Sequence, residues 1–233
     1  MLEEKLEKFK EGQVLLFDKP LSWTSFNVVN KVKSQFRSVF KVKKIKVGHA
    51  GTLDPLATGL LIVCTGKYTK RIQEIQDASK SYVADVILGA SRPSYDKETE
   101  IDANFPSEHI NLDLIKSVLE NQFTGEIDQV PPVFSALKIG GKKAYEFARA
   151  GKELEMKSRK ITIYEIKILS YEHPKLILDI HCSKGTYIRS IAHDLGKALN
   201  SGAYLDGLRR TKIGDYSLEG ALNPEELKLE ELV

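Results

Sequence analysis

One carboxylate and one imidazole stand close together in Val47-Gly-His-Ala-Gly-Thr-Leu-Asp-Pro-Leu-Ala-Thr-Gly-Leu60, a run punctuated by glycines at 48, 51 and 59. A carboxylate in such a setting can act as a nucleophile or as a base. The glycines permit backbone angles that other residues resist, and Pro55 fixes its own φ while pushing Asp54 toward an extended conformation. The next residues, Leu60 to Cys64, are wholly apolar and predict a buried strand. Asp54 would then be presented on a stiff turn at the mouth of that strand. An Asp-Pro pair is also a common turn opener and helix cap, and this stretch alone fits either reading.

The charge map bears on the choice. From Lys19 to Leu53 there are eight Lys or Arg and no Asp or Glu: Lys19, Lys31, Lys33, Arg37, Lys41, Lys43, Lys44 and Lys46. Acids collect at the end of the chain, as Glu219, Glu225, Glu226, Glu230 and Glu231, so a net charge of only +3 hides an asymmetry. A basic stretch is often a solvated helix face. Placed directly before the Asp54 turn, it predicts a track for a polyanion that leads to a site.

With 233 residues, 42% apolar and 29% charged, the chain can build one large domain, or a main domain with a small insert. No apolar run reaches the roughly 18 residues that span a membrane. The opening Met-Leu-Glu-Glu-Lys-Leu-Glu-Lys is too charged for a secretory signal. Cys64 and Cys182 both lie in apolar, strand-like runs and read as buried thiols in a reducing compartment, so a cytoplasmic protein is expected. No metal-ligand cluster is apparent.

Periodicity supplies the elements that must position these residues. Val14 to Phe17 predicts a short strand ending at Asp18-Lys-Pro20. Ser22, Thr24 or Ser25 then caps a helix with Phe26, Val29, Val32 or Lys33, Phe36 and Phe40 on one face. Ser81–Leu88 alternates as a strand, 91–106 is a polar loop, and Asn111–Phe123 is a helix that Gly125 ends. A short helix runs from Lys142 toward Ala150, with Gly151 as its stop. Lys160–Leu169 and Lys175–Cys182 pair across His173-Pro174, and Thr186 opens a helix with Ile188, Ile191, Ala192, Leu195 and Leu199 inward. The class is α+β, with a mixed, largely antiparallel central sheet flanked by helices.

Four further segments join the Asp54 run: Asp18-Lys-Pro-Leu-Ser-Trp-Thr-Ser25, Lys80-Ser-Tyr-Val-Ala84, Gln129 to Arg149 with its Val-Pro-Pro-Val-Phe-Ser opening, and Cys182-Ser-Lys-Gly-Thr-Tyr-Ile-Arg-Ser-Ile-Ala-His-Asp-Leu-Gly196. In this order, with Gly-His-x-Gly-x-Leu-Asp-Pro-x-Ala-Thr-Gly among them, they resemble the TruB-type family of tRNA pseudouridine synthases from Val14 to Ser217. The resemblance implies isomerisation of a T-loop uridine at tRNA position 55, by cleavage of its N-glycosidic bond and rejoining through carbon, without metal or organic cofactor.

Residue by residue, the resemblance makes Asp54 the catalytic aspartate and Arg189 an arginine that pairs with it. A guanidinium nearby would keep the carboxylate ionised despite burial. Tyr82 matches a tyrosine that stacks on the flipped base, although alternation alone equally makes it a core residue of its strand. Tyr187 matches a tyrosine near the uracil edge, Leu208 an apolar pocket residue, and His49 a histidine that takes the place of the displaced base. Lys19 and Lys70 match phosphate or structural contacts of the pocket, and Lys31, Lys33, Arg37, Lys41, Lys43, Lys44 and Lys46 form the RNA track.

Two departures stand out. Ser22 occupies a position where the family usually has glycine; if that position needs φ > 0, Ser22 strains or reshapes the turn. The expected layout is an extension at 1–13, a catalytic domain at 14–217 with an RNA-contacting insert at about 125–151, and an acidic tail at 218–233. No C-terminal RNA-binding PUA domain is expected. The partner implied is the T arm of tRNA, bound by a monomer without a protein partner or membrane. Two alternatives compete: the same chemistry on another RNA, such as a ribosomal site, and a module that binds or folds RNA without turnover.

Overall fold

Residues 2–135, 137–150 and 154–232 are described by the computed structural model. The chain forms two units, Met1–Ser81 with Arg209–Val233, and Tyr82–Leu208.

The first unit opens with α1 (Leu2–Glu11), β1 (Val14–Lys19) and α2 (Ser25–Ser38), followed by β2 (Val47–Ala50), β3 (Ala57–Thr65) and α3 (Ile72–Asp77). Strand β3 is the reason this unit holds together. Leu60, Leu61, Ile62, Val63 and Cys64 are all fully buried, as an uninterrupted apolar run requires when both faces of a strand are covered. Alternate residues serve different cores. Leu61 and Val63 join Phe9, Phe17, Val28, Val32 and Phe36, while Leu60, Ile62 and Cys64 join Ala50, Ile75 and Ile213. Strand β1 runs antiparallel along β3 from Val14 opposite Cys64 to Lys19 opposite Gly59, and β2 also pairs with it, Val47 opposite Thr65.

Helix α2 is capped by Thr24, whose hydroxyl accepts from the Asn27 amide at 3.0 Å, while the Asn27 carboxamide accepts from the Thr24 amide at 2.7 Å. Its buried face is Val28, Val29, Val32 and Phe36; Phe26, expected inward, is 59% exposed. Ser25, one residue earlier, is buried with Val28, Val29, Val32 and Phe36, and at about 100° per residue Phe26 falls beside that face and not on it. Both chain ends pack here. Phe9 of α1 is buried, as are Leu227 and Leu229 between the terminal acids, and Leu222 exchanges backbone hydrogen bonds with Leu16 and Asp18.

The second unit continues through β4 (Lys80–Leu88), β5 (Ala90–Ser91), β6 (Ala103–Asn104), α4 (Leu112–Gln122) and β7 (Gly125–Gln129). After β8 (Lys138–Ile139), β9 (Lys142–Lys143) and α5 (Ala144–Arg149) come β10 (Arg159–Glu172), β11 (Lys175–Cys182), α6 (Ile188–Ala198), β12 (Ala203–Ile213) and β13 (Tyr216–Ser217). The unit boundary falls inside β4 and β12, and β13 belongs to the first unit. Strand β4 buries Tyr82, Ala84, Val86 and Leu88 alternately, as its sequence predicts. Sheet order within this unit is β12-β4-β11-β10-β7, with β10 antiparallel to both β11 and β7. Helices α4 and α6 cover the core through Ile115, Val118 and Leu119, and Ile188, Ile191, Ala192 and Leu195.

The α+β class and the antiparallel pairing are as expected. The 91–106 loop carries a small hairpin, β5 with β6, and α6 begins at Ile188 with Tyr187 as its cap residue instead of Thr186. Gly151, expected to stop α5, lies outside the described residues, as does Ala136 of the insert. No helix among the described residues is long and apolar enough to cross a membrane.

Candidate active site

In the first unit Asp54 sits half-buried between β2 and β3, and its main-chain neighbours are held on both sides. The Ser25 hydroxyl accepts from the Leu53 amide at 2.8 Å and donates to the Leu53 carbonyl at 3.2 Å. The Ser22 amide donates to the Pro55 carbonyl at 2.9 Å, and the Ala57 amide closes the turn on the Asp54 carbonyl at 3.0 Å. Ser22 reaches Pro55 with φ +68°, the left-handed region that favours glycine. The position therefore does require positive φ, and Ser22 adopts it.

Behind the turn lies Arg210, almost fully buried. Its Nε donates to the Leu60 carbonyl at 2.9 Å, and its two terminal nitrogens reach the carbonyls of Gly51 at 3.0 Å and Thr52 at 3.4 Å. One guanidinium thus ties the end of β2 to the start of β3, using the planar fork of donors that only arginine offers. Gly59 is required for this approach: a Cβ there, at φ +101°, would meet the Arg210 backbone at 2.3 Å.

Lys19 is completely buried, with Nζ donating to the carbonyls of Trp23 at 2.6 Å and Pro20 at 2.9 Å. It braces the 19–23 turn from within. Burial pulls its pKa down to about 8; the Asp54 carboxylate opposes the fall and the Arg210 charge adds to it. Burial, then Arg210, also hold the His49 imidazole below its usual range, against a pull upward from the Gly51 backbone. His49 is half-buried in β2. A cleft of about 360 Å³ beside Lys19 is lined by Asp18, Pro20, Thr58, Arg209 and Glu225 and does not include Asp54.

In the second unit the start of α6 is fastened to the end of β7. The buried Gln129 side chain accepts from the Tyr187 amide at 2.8 Å and donates to the Tyr187 carbonyl at 3.1 Å, while Ser190 donates to the Val130 carbonyl at 2.8 Å. Arg189 is buried. It faces Asp96 at 3.5 Å and donates to the Phe134 carbonyl at 2.8 Å. Four residues on, His193 stacks flat on Tyr95 with ring centroids 3.7 Å apart, so one face of α6 holds the 94–96 loop twice. Burial pulls the His193 pKa down to about 4, with Lys197 adding to the fall and Asp102 opposing it. The Tyr187 ring carries the Arg159 guanidinium at 4.8 Å and that of Arg189 at 5.9 Å. Tyr82 is buried to 9% exposure in the core of this unit, against which Leu208 packs half-buried.

Of the expected cationic track, Arg37, Lys41, Lys43, Lys44 and Lys46 are exposed, and Lys33 is half-buried. Lys31 donates to the Glu225 carbonyl at 3.2 Å, and Lys41 to the Ser38 carbonyl at 2.7 Å. Lys70 is exposed in a 3-10 turn at Gly66–Arg71. No group of residues suited to hold a metal ion occurs among the described residues.

Ser25, Arg210, Asp96 and Gln129 were not among the expected site residues. For Arg210 a signal existed: neighbours on a strand face opposite ways, so one of Arg209 and Arg210 had to point inward. Arg209 takes the outer place, in a bidentate pair with Asp18 at 2.6 and 3.1 Å.

Residues 37–188 match the TruB family pseudouridylate synthase N-terminal domain. The chain is 56% identical over 217 residues to tRNA pseudouridine synthase B of Phocaeicola vulgatus, covering 93% of this chain and 92% of that protein. It is also 56% identical over 220 residues to the protein of that name from Flavobacterium johnsoniae, covering 93% and 95%. Among solved structures, a chain of a Cbf5-Nop10-Gar1 complex aligns with TM-score 0.70 and 29% identity, over 98% of this chain and 56% of that one. A chain of an H/ACA RNP bound to a substrate RNA containing 2'-deoxyuridine aligns with TM-score 0.68 and 28% identity, over 96% and 54%. The chain thus spans little more than half the length of these solved relatives, but nearly all of the two bacterial ones.

Proposed function

The chain belongs to the TruB family of pseudouridylate synthases, and from that premise we propose that it isomerises a uridine in the T loop of tRNA, at position 55, with Asp54 as the catalytic carboxylate. The observation that carries this reading is the Asp54 turn itself. A half-buried carboxylate is presented on a backbone whose preceding and following residues are both hydrogen-bonded in place, by Ser25 and Ser22. Catalysis rewards such fixing, because a misplaced reactive group loses rate steeply.

In this reaction the bond from ribose C1' to N1 of uracil breaks, the base turns, and a bond from C1' to C5 forms. C5 loses its proton and N1 gains one, so the reaction is a net isomerisation. Asp54 acts as nucleophile or base on the target nucleotide, which is flipped out of its stack to reach it. In the same proposal Tyr82, Tyr187, Leu208 and His49 meet the flipped nucleotide or the space it leaves. Lys19, by its burial, serves the turn and not a phosphate. The exposed Arg37, Lys41, Lys43, Lys44 and Lys46, with Lys31, Lys33 and Lys70, carry the tRNA backbone. The names of the bacterial relatives favour tRNA over other RNAs.

The test is to incubate the protein with an unmodified tRNA transcript and map pseudouridine by sequence position. The proposal expects modification at position 55 alone. Modification confined to a ribosomal RNA transcript, or binding of tRNA without modification, would contradict it.

A further inference from the structure

Leu53 has a buried side chain yet belongs to no helix or strand. Its amide and carbonyl therefore need partners outside the sheet ladders, since buried main-chain groups left unpaired are costly. A single atom serves both. The Ser25 hydroxyl, on a residue 2% exposed and 28 positions away in sequence, accepts from the Leu53 amide at 2.8 Å and donates to the Leu53 carbonyl at 3.2 Å. A hydroxyl has one proton to give and lone pairs to receive, so it can hold both bonds at once.

The two bonds grip different peptide planes. The Leu53 amide belongs to the plane joining Thr52 to Leu53; the Leu53 carbonyl belongs to the plane joining Leu53 to Asp54. Fixing both leaves Leu53 little freedom, and the second plane carries the amide of Asp54 itself. On the far side the Pro55 ring locks its own φ, and the Pro55 carbonyl is held by the Ser22 amide at 2.9 Å. The hydroxyl is not occupied in starting α2, because Thr24 performs that cap.

We propose that Ser25 is a positioning residue for the reaction: its hydroxyl sets the backbone from which the Asp54 carboxylate is aimed. This rests on Asp54 being the catalytic carboxylate. It does not require Ser25 to touch the RNA.

The experiment measures single-turnover rate, tRNA affinity and melting temperature for wild type, Ser25→Ala, Ser25→Thr and Ser25→Val. Ser25→Ala should lower the rate by about 100-fold, the scale of a displacement near 1 Å, while affinity stays within about threefold. Ser25→Thr keeps the hydroxyl and should recover most of the rate; Ser25→Val, matched to it in shape, should fall as Ser25→Ala does. A role confined to folding would instead move the melting temperature and leave the rate per folded molecule intact. An unchanged rate for Ser25→Ala, or equal losses for Ser25→Thr and Ser25→Val, would overturn the proposal. If Ser25→Ala does not fold, the Thr and Val pair decides; if none of the three folds, serine at position 25 is a folding requirement and the proposal is wrong. No turnover by wild type would sink the role of Asp54 instead, which separates the two failures.

Discussion

The two units hold their candidate site residues in opposite ways. In the first, the groups around Asp54 act on main chain: Ser25 grips Leu53, Ser22 grips Pro55, and Arg210 grips Gly51, Thr52 and Leu60. In the second, the side chain of Arg189 is itself held, by the Asp96 carboxylate and the Phe134 carbonyl. A carboxylate has one short side chain, so aiming it means fixing the backbone beneath it. An arginine has a long stem with many rotamers, so aiming it means fixing the guanidinium at its tip.

This contrast is open to attack at its strongest points first. Arg210→Met removes the donors of three carbonyls at once, and should cost about 3–5 kcal/mol in urea unfolding: about 1–3 kcal/mol for the buried Leu60 carbonyl and about 1 kcal/mol for each of the less buried Gly51 and Thr52. A loss below about 1 kcal/mol would mean that the backbone clamp is dispensable. In the second unit, Asp96→Asn keeps the shape but removes the charge facing Arg189, and should cost about 2 kcal/mol, less than a fully broken buried pair because the carbonyl partner remains. If Asp96→Asn proved the more damaging of the two, the first unit would not be the more heavily braced.

Lys19 sharpens the comparison through pH. Its folded pKa, about 8, lies below the unfolded 10.5. Below pH 8 both states hold the proton, and the folded state bears the cost of a buried charge. Between about pH 8 and 10.5 the unfolded chain keeps a proton that the folded one has shed, so rising pH favours folding. Wild type should therefore gain stability relative to Lys19→Met as pH rises through this window. A difference that stays flat, or runs the other way, would show that Lys19 is not held in the low-pKa state.

The smallest effect concerns Ser22. A left-handed conformation costs a non-glycine residue about 1–2 kcal/mol, partly offset by the extra backbone entropy of glycine. Ser22→Gly should raise stability by up to about 1 kcal/mol in thermal unfolding and leave turnover unchanged. Destabilisation would mean that the serine side chain has a role beyond its backbone.

How much of this was legible in the sequence depends on whether a residue acts locally. The apolar run of β3 and the alternation of Tyr82 to Leu88 follow from short-range rules, and they were readable; Thr24 was one of three candidate caps, and the positive φ at Ser22 was signalled by the glycine the family usually has there. Phe26 was misplaced because its spacing to Val29 also fits a helical stripe, while the buried face runs through Ser25, Val28, Val29, Val32 and Phe36. Ser25 and Arg210 were missed for a different reason. Strand alternation turns one of Arg209 and Arg210 inward, but the partners of Ser25 and Arg210 are carbonyls and an amide, which every residue has, so no side-chain pattern marks the pairing; it exists only once the chain has brought residue 25 to 53 and 210 to 51.

The most direct measurement is release of tritium from C5 of uridine in an unmodified tRNA transcript, with wild type beside Asp54→Asn. Wild type should release tritium stoichiometrically from one site, and Asp54→Asn should release none at undiminished tRNA affinity. Equal release by both proteins would contradict the role assigned to the Asp54 turn.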